Sequence, residues 1–266
     1  MNISDVKLSI FTKPWKSITI PKLGELVSGL GFDGIEFPLR DGFQVQPCEA
    51  VQKLPLLACE LLKYNLKIFS VAGSTDETTF AACQAAGVSL IRIMLEAELE
   101  KGYLNCELQW LHRLEAMERL CQKYNVNVGI QPHYGAGIFG TMELRHLLEK
   151  CSSKYIGAIW DSAHSGLSGE EPEQALDIIW EYLLLVNLKS AYYAKGYDAL
   201  SNTSTFIPYF TMGRDGTSSW SRIIKYLKKH EYEGCICMPA EYTDEEGVER
   251  YIAQDFNYIK ELLSSR

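Results

Sequence analysis

Eight short apolar segments recur along the chain, and they restrict its fold more than any other feature of the sequence. They are Lys7–Phe11, Gly34–Phe37, Lys67–Val71, Ser89–Met94, Val126–Gln131, Ile156–Trp160, Leu183–Leu188 and Cys235–Met238. The segments between them carry apolar residues at helical spacing: Ile20–Gly31, Cys48–Tyr64, Thr78–Gly87, Leu108–Tyr124, Met142–Cys151, Glu173–Tyr182, Ser218–His230 and Glu246–Leu263. Alternation of strand and helix predicts parallel strands with crossover helices, and eight units in 266 residues match a closed (β/α)8 barrel.

An open, doubly wound sheet is the alternative arrangement of such units. A dinucleotide-binding sheet of that kind has a glycine-rich turn after its first strand, whereas residues 11–15 contain no glycine. No internal repeat, low-complexity tract or linker rich in Pro, Gly and Ser divides the chain. The sequence therefore predicts an α/β protein with a single (β/α)8 TIM-barrel domain over residues 1–266.

Polar and ionisable side chains lie at the ends of several predicted strands. They are Glu36, Arg92, Gln131, His133, Asp161, Asn187, Lys189 and Glu241. Such side chains are costly in apolar strands unless they are paired or functional. Catalytic residues of (β/α)8 barrels lie at the C-terminal ends of the strands. Repetition of the pattern on so many strands predicts a functional site at that end of the barrel.

Structural roles are the alternative for these side chains. Glu36 and Arg92 can form a buried ion pair, and Lys189 can neutralise either Asp161 or Glu241. For Arg92 and Lys189 both interpretations stay open. For Asp161 and Glu241 a functional role is favoured, because two carboxylates brought together need a cation or a shared proton.

The stretch Ile156–His164, IGAIWDSAH, leads from an apolar strand into two candidate ligands. Asp161 ends the strand and His164 follows three residues later, so a rigid element places the carboxylate close to the imidazole. Such a pair suits a divalent-cation site or acid–base chemistry. In the structural alternative Asp161 caps the next helix and His164 is an ordinary loop histidine. His133 can likewise bond a carbonyl in its own turn.

The longest segment without predicted secondary structure is Ala191–Thr217, between the seventh strand and the seventh helix. Loops of more than about 15 residues in a compact domain are usually functional or disordered, and a segment rich in aromatic residues is poorly suited to disorder. Its aromatic residues are Tyr192, Tyr193, Tyr197, Phe206, Tyr209 and Phe210. We therefore expect this loop to fold over the barrel mouth as a lid with an apolar wall.

The composition is that of a globular protein, with 47% hydrophobic and 23% charged residues. A net charge of -8 argues against nucleic-acid binding, which uses clustered Lys and Arg. No apolar run approaches the roughly 20 residues of a membrane helix, and the first residues lack a signal-peptide pattern, so the expected location is the cytoplasm. The eight cysteines are expected to be reduced thiols.

Several of these motifs resemble the xylose isomerase-like barrels, the sugar-phosphate isomerase/epimerase superfamily. The resemblance covers nearly the whole chain, through FDGIEF, NVGIQPHYG, IGAIWDSAH, VNLKSA, MGRDGTSSW and YEGCICMPAEYTD. In that family strand five ends in glutamate, strand six gives aspartate with histidine three residues on, strand seven reads histidine-x-lysine, and strand eight ends in glutamate. The two glutamates, the aspartate and the strand-seven histidine bind one divalent metal, and in epimerases the glutamates move the substrate proton.

Carried over by position, the resemblance implies Gln131, Asp161, Asn187 and Glu241 as the metal ligands. Asp161 and Glu241 match the family, whereas Gln131 replaces a glutamate and Asn187 replaces a histidine. An amide keeps an oxygen ligand but loses a negative charge and a proton acceptor. We therefore expect a divalent metal (Mn, Mg or Zn) to be bound weakly or to be absent.

The resemblance implies an isomerase, epimerase or related dehydratase that removes a proton beside the carbonyl of a small keto-sugar, sugar phosphate or cyclitol. The candidate catalytic residues are Glu241, His133 and Lys189, with Glu241 as a base and either a metal or Lys189 polarising the carbonyl oxygen. The candidate substrate-binding residues are Glu36, Arg92, His164 and Arg214.

The first alternative function is a noncatalytic sugar-binding barrel that has lost the metal and one base. A metal-dependent phosphoesterase is disfavoured, because the mouth has few histidine and aspartate ligands for a multi-metal site. The expected partner is a small-molecule carbohydrate, with neither nucleic acid nor membrane, and the sequence leaves a homo-oligomer open.

Overall fold

The computed structural model describes residues 6–151 and 154–265. The strands in these ranges are β1 (Lys7–Phe11), β2 (Gly34–Pro38), β3 (Lys67–Ala72), β4 (Leu90–Ile93), β5 (Asn127–Ile130), β6 (Ile156–Asp161), β7 (Leu183–Asn187), β8 (Ser190–Asp198), β9 (Thr203–Thr211) and β10 (Cys235–Met238). The helices are α1 (Ile20–Leu30), α2 (Ala50–Leu62), α3 (Glu77–Ala85), α4 (Tyr103–Tyr124), α5 (Thr141–Leu148), α6 (Ser162–Leu167), α7 (Pro172–Ile179), α8 (Trp220–Lys229) and α9 (Val248–Ser264).

Strands β1 to β7 and β10 form one closed parallel barrel, with β10 paired back to β1. At the C-terminal end Phe11 pairs in register with Glu36, and Asp161 pairs with Asn187. The predicted (β/α)8 barrel is confirmed, and each predicted barrel strand begins and ends within one residue of the observed one. Parallel pairing brings the C-terminal ends of all these strands to the same face of the barrel, where most of the predicted site residues lie.

Apolar side chains fill two regions, one between strands and helices and one inside the barrel. Strands β2 and β6 are buried along their whole length, as expected for parallel strands covered on both faces. A smaller cluster from six of the eight barrel strands fills the barrel interior and contains Phe11, Ala72, Leu90, Ile159, Leu185 and Cys237. Among the described residues, the helices all lack the length or the apolar character needed to cross a membrane.

The segment predicted to be irregular instead contains the antiparallel hairpin β8–β9, paired from Ser190–Thr211 to Asp198–Thr203. The prediction of an irregular loop is therefore wrong, because β-forming residues follow one another on both sides of a turn. The base of the hairpin is held to the barrel, since the Phe210 N–H donates to Thr243 Oγ1 at 2.8 Å. Its far half is exposed, with Tyr197 64% exposed, and the role of the hairpin as a lid stays a prediction.

Candidate active site

A cavity of about 120 Å³ opens at the C-terminal ends of the barrel strands. Its lining residues are Phe11, Lys13, Arg40, Arg92, Met94, Gln131, His133, His164, Asn187, Lys189, Pro239 and Glu241. Most of the residues predicted for the site are therefore in its wall. Glu36 and Asp161 are buried behind that wall, in contact with residues that line it.

A chain of hydrogen bonds crosses the floor of the cavity. Arg92 Nε donates to Glu36 Oε1 at 2.8 Å, and Ser70 Oγ donates to the same oxygen at 3.0 Å. Arg92 Nη1 donates to Gln131 Oε1, and Gln131 Nε2 donates to Asp161 Oδ2 at 2.7 Å. Burial lowers the pKa of Arg92, but the Glu36 carboxylate outweighs it and raises the pKa overall. Glu36 is fully buried and forms an ion pair with Arg92 behind the cavity wall, as the structural alternative for these two residues expects.

Asp161 has a capping role that the sequence left open. Its Oδ1 accepts hydrogen bonds from the backbone N–H groups of Ala163 and His164, at 3.0 and 3.2 Å. These bonds begin the short helix α6, which the sequence pattern did not predict. The structural alternative for Asp161 is confirmed, and the cap also fixes the position from which His164 faces the cavity.

Lys189 lies between the two carboxylates. Its Nζ donates to Glu241 Oε2 at 2.8 Å and lies 4.0 Å from Asp161 Oδ2. It also lies 3.1 Å from His164 Nε2. Both ring nitrogens of His164 therefore lie beside donors, because the Tyr134 backbone N–H also donates to Nδ1 at 3.5 Å. Burial, and then the charge of Lys189, lower the pKa of His164 well below its usual value, so this imidazole is neutral.

Glu241 is held as a carboxylate by two ammonium groups. Lys13 Nζ donates to Glu241 Oε1 at 2.6 Å, while Lys189 binds the other oxygen. Burial alone raises the pKa of Glu241, but the two lysines reverse this and lower it far below its usual value. The preceding residue, Ala240, has a φ of 54°, a left-handed conformation that costs a non-glycine residue about 1–3 kcal/mol. A carboxylate with two cationic partners is a weak base.

His133 combines a fixed tautomer with access to the cavity. Its Nδ1 lies 2.8 Å from the carbonyl oxygen of Tyr134, so Nδ1 carries the proton and Nε2 keeps a free lone pair. Burial lowers the pKa of His133 below 6.5, although the Tyr134 carbonyl opposes the shift. The predicted bond to a carbonyl in its own turn is therefore confirmed, and it leaves a neutral imidazole able to accept a proton.

Two cationic residues of the site were not found from the sequence, and one predicted contact lies elsewhere. Lys13 and Arg40 each follow the end of a barrel strand by two residues, and this position was the signal that could have identified them. Arg214 lies outside the cavity, because its Nη2 pairs with Glu261 at 2.6 Å and its guanidinium stacks on Tyr258. In this structure Arg214 therefore contacts α9 rather than the cavity, and its contact with substrate stays a prediction.

The predicted metal ligands converge, but most of their donor atoms are already engaged. Arg92 takes the Gln131 oxygen, both oxygens of Asp161 accept N–H groups, and Lys13 and Lys189 take those of Glu241. In residues 6–151 and 154–265 the His, Cys, Asp and Glu side chains form no group of three that could hold a metal ion. This arrangement does not fit a divalent metal, since two protein cations lie where its charge would be.

Known proteins share both the sequence pattern and the fold. The family model for xylose isomerase-like TIM barrels matches residues 25–262. Inosose dehydratase of Bacillus cereus (strain AH820) is 23% identical over 133 residues, which span 48% of this chain and 45% of that protein. The chain thus matches about half the length of this relative.

Solved structures are similar over nearly their whole length. The probable 3-DHS dehydratase AsbF from Bacillus anthracis has a TM-score of 0.76 at 12% identity, with 96% of this chain and 99% of that chain covered. The 3-keto-D-glucoside 4-epimerase YcjR from E. coli has a TM-score of 0.76 at 13% identity, with the same coverage. Structures of this fold also include one with zinc and one with magnesium. At these identities the similarity establishes the fold.

Proposed function

Because the chain belongs to the xylose isomerase-like TIM barrel family, we propose that it is an isomerase, epimerase or dehydratase of a small carbohydrate with a carbonyl group. The observation that carries this proposal is that a neutral His133 and the ammonium of Lys189 line the same cavity. Removal of a proton beside a carbonyl needs a base for the proton and a cationic donor for the oxygen. These two residues supply both.

The first step is proton abstraction from the carbon beside the carbonyl. His133 Nε2 takes the proton, and the electron pair of the broken C–H bond moves onto the carbonyl oxygen to form an enolate. Lys189 and Arg92 stabilise the negative charge, because fixed cations in a buried site act without reorganisation. We assign the base to His133 rather than Glu241, because Glu241 already binds two ammonium groups.

The enolate can then react in three ways. Protonation of the same carbon from the opposite face by the Lys189 ammonium gives an epimer, and solvent then returns a proton to Lys189 and removes one from His133. Proton transfer by His133 to the neighbouring carbon, with a shift of the hydroxyl proton, gives an isomer. Departure of a hydroxyl group from the next carbon, protonated by His133, gives water and a dehydrated product. Asn187 Oδ1 is buried and, within the described ranges, accepts no protein hydrogen bond, so it suits a substrate hydroxyl as a partner.

Deuterium exchange tests the reaction without knowledge of the product. We expect the protein to exchange the proton beside the carbonyl of at least one inosose, 3-keto-D-glucoside or ketohexose in deuterated water, measured by proton NMR. His133→Asn should lower the exchange rate about 10²- to 10⁴-fold and retain binding. Saturable binding of these sugars with no exchange by the unaltered protein would instead support the noncatalytic sugar-binding barrel.

A further inference from the structure

Asp255 is a buried carboxylate that lies behind the barrel mouth and has no part in the proposed reaction. It belongs to α9, is 3% exposed and does not line the cavity. Its Oδ1 accepts the backbone N–H of Gly213 at 2.9 Å, and its Oδ2 accepts the hydroxyl of Tyr242 at 2.8 Å. Because Gly213 follows β9 and Tyr242 follows β10, one side chain joins two loops at the mouth.

The charge of Asp255 depends on these two donors. Burial raises its pKa to about 6, although the bonds from Gly213 and Tyr242 oppose the shift, so the carboxylate form predominates above that pH. The cation whose charge reaches it, Arg214, pairs with Glu261 instead. A buried carboxylate is costly unless its oxygens accept hydrogen bonds. Loss of either donor would therefore disturb Asp255, and loss of Asp255 would leave both donors unpaired.

Tyr242 connects Asp255 to a strained part of the site. Ala240 has a left-handed φ of 54°, and such a conformation persists only when surrounding contacts fix it. On the cavity side the fixing contact is made by Glu241, which binds Lys189 at 2.8 Å. On the opposite side it is the hydroxyl of Tyr242, bound to Asp255. The backbone that carries Glu241 is thus held from both sides.

Gly213 connects Asp255 to the base of the hairpin. Three residues earlier, the Phe210 N–H donates to Thr243 Oγ1 at 2.8 Å, and the Thr243 N–H donates to the Phe210 carbonyl oxygen at 3.0 Å. The Phe210 ring also lies over the Lys189 ammonium. Segments 210–213 and 240–243 are therefore joined twice, once by this pair of bonds and once through Asp255.

We propose that Asp255 is a positioning residue for the site: it holds segments 210–213 and 240–243 together and thereby places Phe210 and Glu241 against Lys189. It acts through Gly213 and Tyr242, since it reaches neither the cavity nor a ligand there. The ammonium that stabilises the enolate is then oriented by groups that a helix outside the barrel holds in place. This inference rests on the proposed function only for its effect on the carbohydrate reaction.

Amide hydrogen exchange, followed by mass spectrometry, tests the link without a ligand. Asp255→Leu removes both acceptor oxygens, so exchange in residues 206–217 and 240–245 should become about tenfold faster or more, with residues 67–93 on β3 and β4 unchanged. Asp255→Asn should restore most of the protection. Its amide oxygen accepts the Gly213 N–H, while its NH₂ group donates to the Tyr242 oxygen.

Tyr242→Phe keeps the fold and removes a single hydroxyl, so it provides the same test if Asp255→Leu does not fold. It should speed amide exchange in residues 240–245. The matched control is Tyr226→Phe, because the Tyr226 hydroxyl donates to Asp177 at 3.3 Å between α7 and α8, and neither residue lines the cavity. That variant should leave amide exchange in both segments unchanged.

The carbohydrate reaction gives the second measurement. In deuterated water Asp255→Leu should exchange the proton beside the carbonyl about tenfold more slowly at saturating carbohydrate, and Asp255→Asn should be close to the unaltered protein. A purely structural role would instead lower the unfolding midpoint of a folded Asp255→Leu and leave this rate unchanged, and that result would overturn the proposal.

Two results of the amide measurement would also overturn it. One is unchanged protection of both segments in Asp255→Leu and Tyr242→Phe. The other is an equal loss of protection in residues 67–93, which would show that Asp255 supports the whole barrel rather than its mouth. Amide exchange needs no carbohydrate, so an unaltered protein that exchanges no carbohydrate proton would refute the proposed function and leave this link between the two segments measurable.

Discussion

The Lys189 ammonium lies 2.8 Å from Glu241 Oε2 and 4.0 Å from Asp161 Oδ2. These are the two carboxylates that the family resemblance implies as metal ligands. Together with Lys13, which binds the other oxygen of Glu241, this ammonium balances the charge of two groups that would otherwise attract a divalent cation. The same ammonium lines the cavity, where it can donate to a substrate oxygen.

We expect Lys189→Met to bind Mn²⁺ at least about tenfold more tightly than the unaltered protein. Loss of the ammonium frees Glu241 Oε2 and leaves two carboxylates without the cation between them. Water-proton relaxation with added Mn²⁺ measures the affinity. Lys13→Met is the matched control, because Lys13 pairs with Glu241 but has no contact with Asp161, and it should raise the affinity less. Metal retained by the unaltered protein after dialysis against a chelator would contradict the inference that the Lys189 ammonium takes the place of a metal ion.

Restoration of the family ligands should also favour a metal. Gln131 and Asn187 both line the cavity, so Gln131→Glu combined with Asn187→His adds one negative charge and one imidazole to its wall. Because charged and imidazole ligands strengthen zinc and manganese sites, we expect higher affinity for both ions, measured by calorimetry. Asp161→Ala in this background should remove the gain. If the gain survives Asp161→Ala, the metal lies elsewhere and the site is wrongly placed.

The pH dependence of proton exchange should follow His133. Because burial lowers the pKa of His133 in the folded protein, the neutral base should persist to a more acidic pH than in a free imidazole. Exchange should fall only at more acidic pH, as His133 becomes protonated. His133→Asn should lower the rate about 10²- to 10⁴-fold, and Glu241→Gln should lower it less. The opposite order would identify Glu241 as the base.

The sequence predicted the barrel well because each strand has a local signal. Lys7–Phe11 and Cys235–Met238 are observed with the predicted bounds, since parallel strands are continuous apolar runs between helices. The convergence of Gln131, Lys189 and Glu241 then follows from topology alone. Local pattern and global fold agree at these positions.

Side-chain partners could not be predicted in the same way. The sequence left open whether Lys189 neutralises Asp161 or Glu241, and only the distances assign it to Glu241. The hairpin was missed because its tip carries polar and small residues that resemble a loop, although β-forming residues flank them. Lys13 and Arg40 were missed because each lies two residues beyond the end of its strand, outside the apolar segment that was searched for polar residues.

Residues at the base of the hairpin should contribute to carbohydrate binding, whereas residues in its far half should not. The Phe210 ring centroid lies 4.4 Å from Lys189 Nζ, a cation–π contact worth about 0.5–2 kcal/mol. Phe210→Ala should therefore weaken carbohydrate binding and exchange. Tyr197→Ser, in the exposed half, should change neither. If Tyr197→Ser weakens carbohydrate binding and exchange as much as Phe210→Ala, the far half of the hairpin covers the ligand and the lid prediction is confirmed. Calorimetry on both variants decides this.

The buried ion pair of Glu36 and Arg92 should be detectable in the stability of the fold. Arg92→Met leaves the Glu36 carboxylate buried with only Ser70 as a partner, and loss of one member of such a pair costs about 3–5 kcal/mol. Removal of both charges in Glu36→Met with Arg92→Met should recover much of that loss, because no unpaired charge remains. Urea unfolding of the unaltered protein, the two single variants and the double variant gives the coupling free energy between the two charges.

The exposed pair of Lys123 and Glu77 is the control for this cycle, because both side chains are more than half exposed and water already screens them. Lys123→Met should therefore change the unfolding midpoint little, and its effect should add to that of Glu77→Met. The buried pair should instead be strongly non-additive. Additive effects of Glu36→Met and Arg92→Met would show that the two charges do not depend on each other. Arg92 would then be held in the cavity by Gln131 alone.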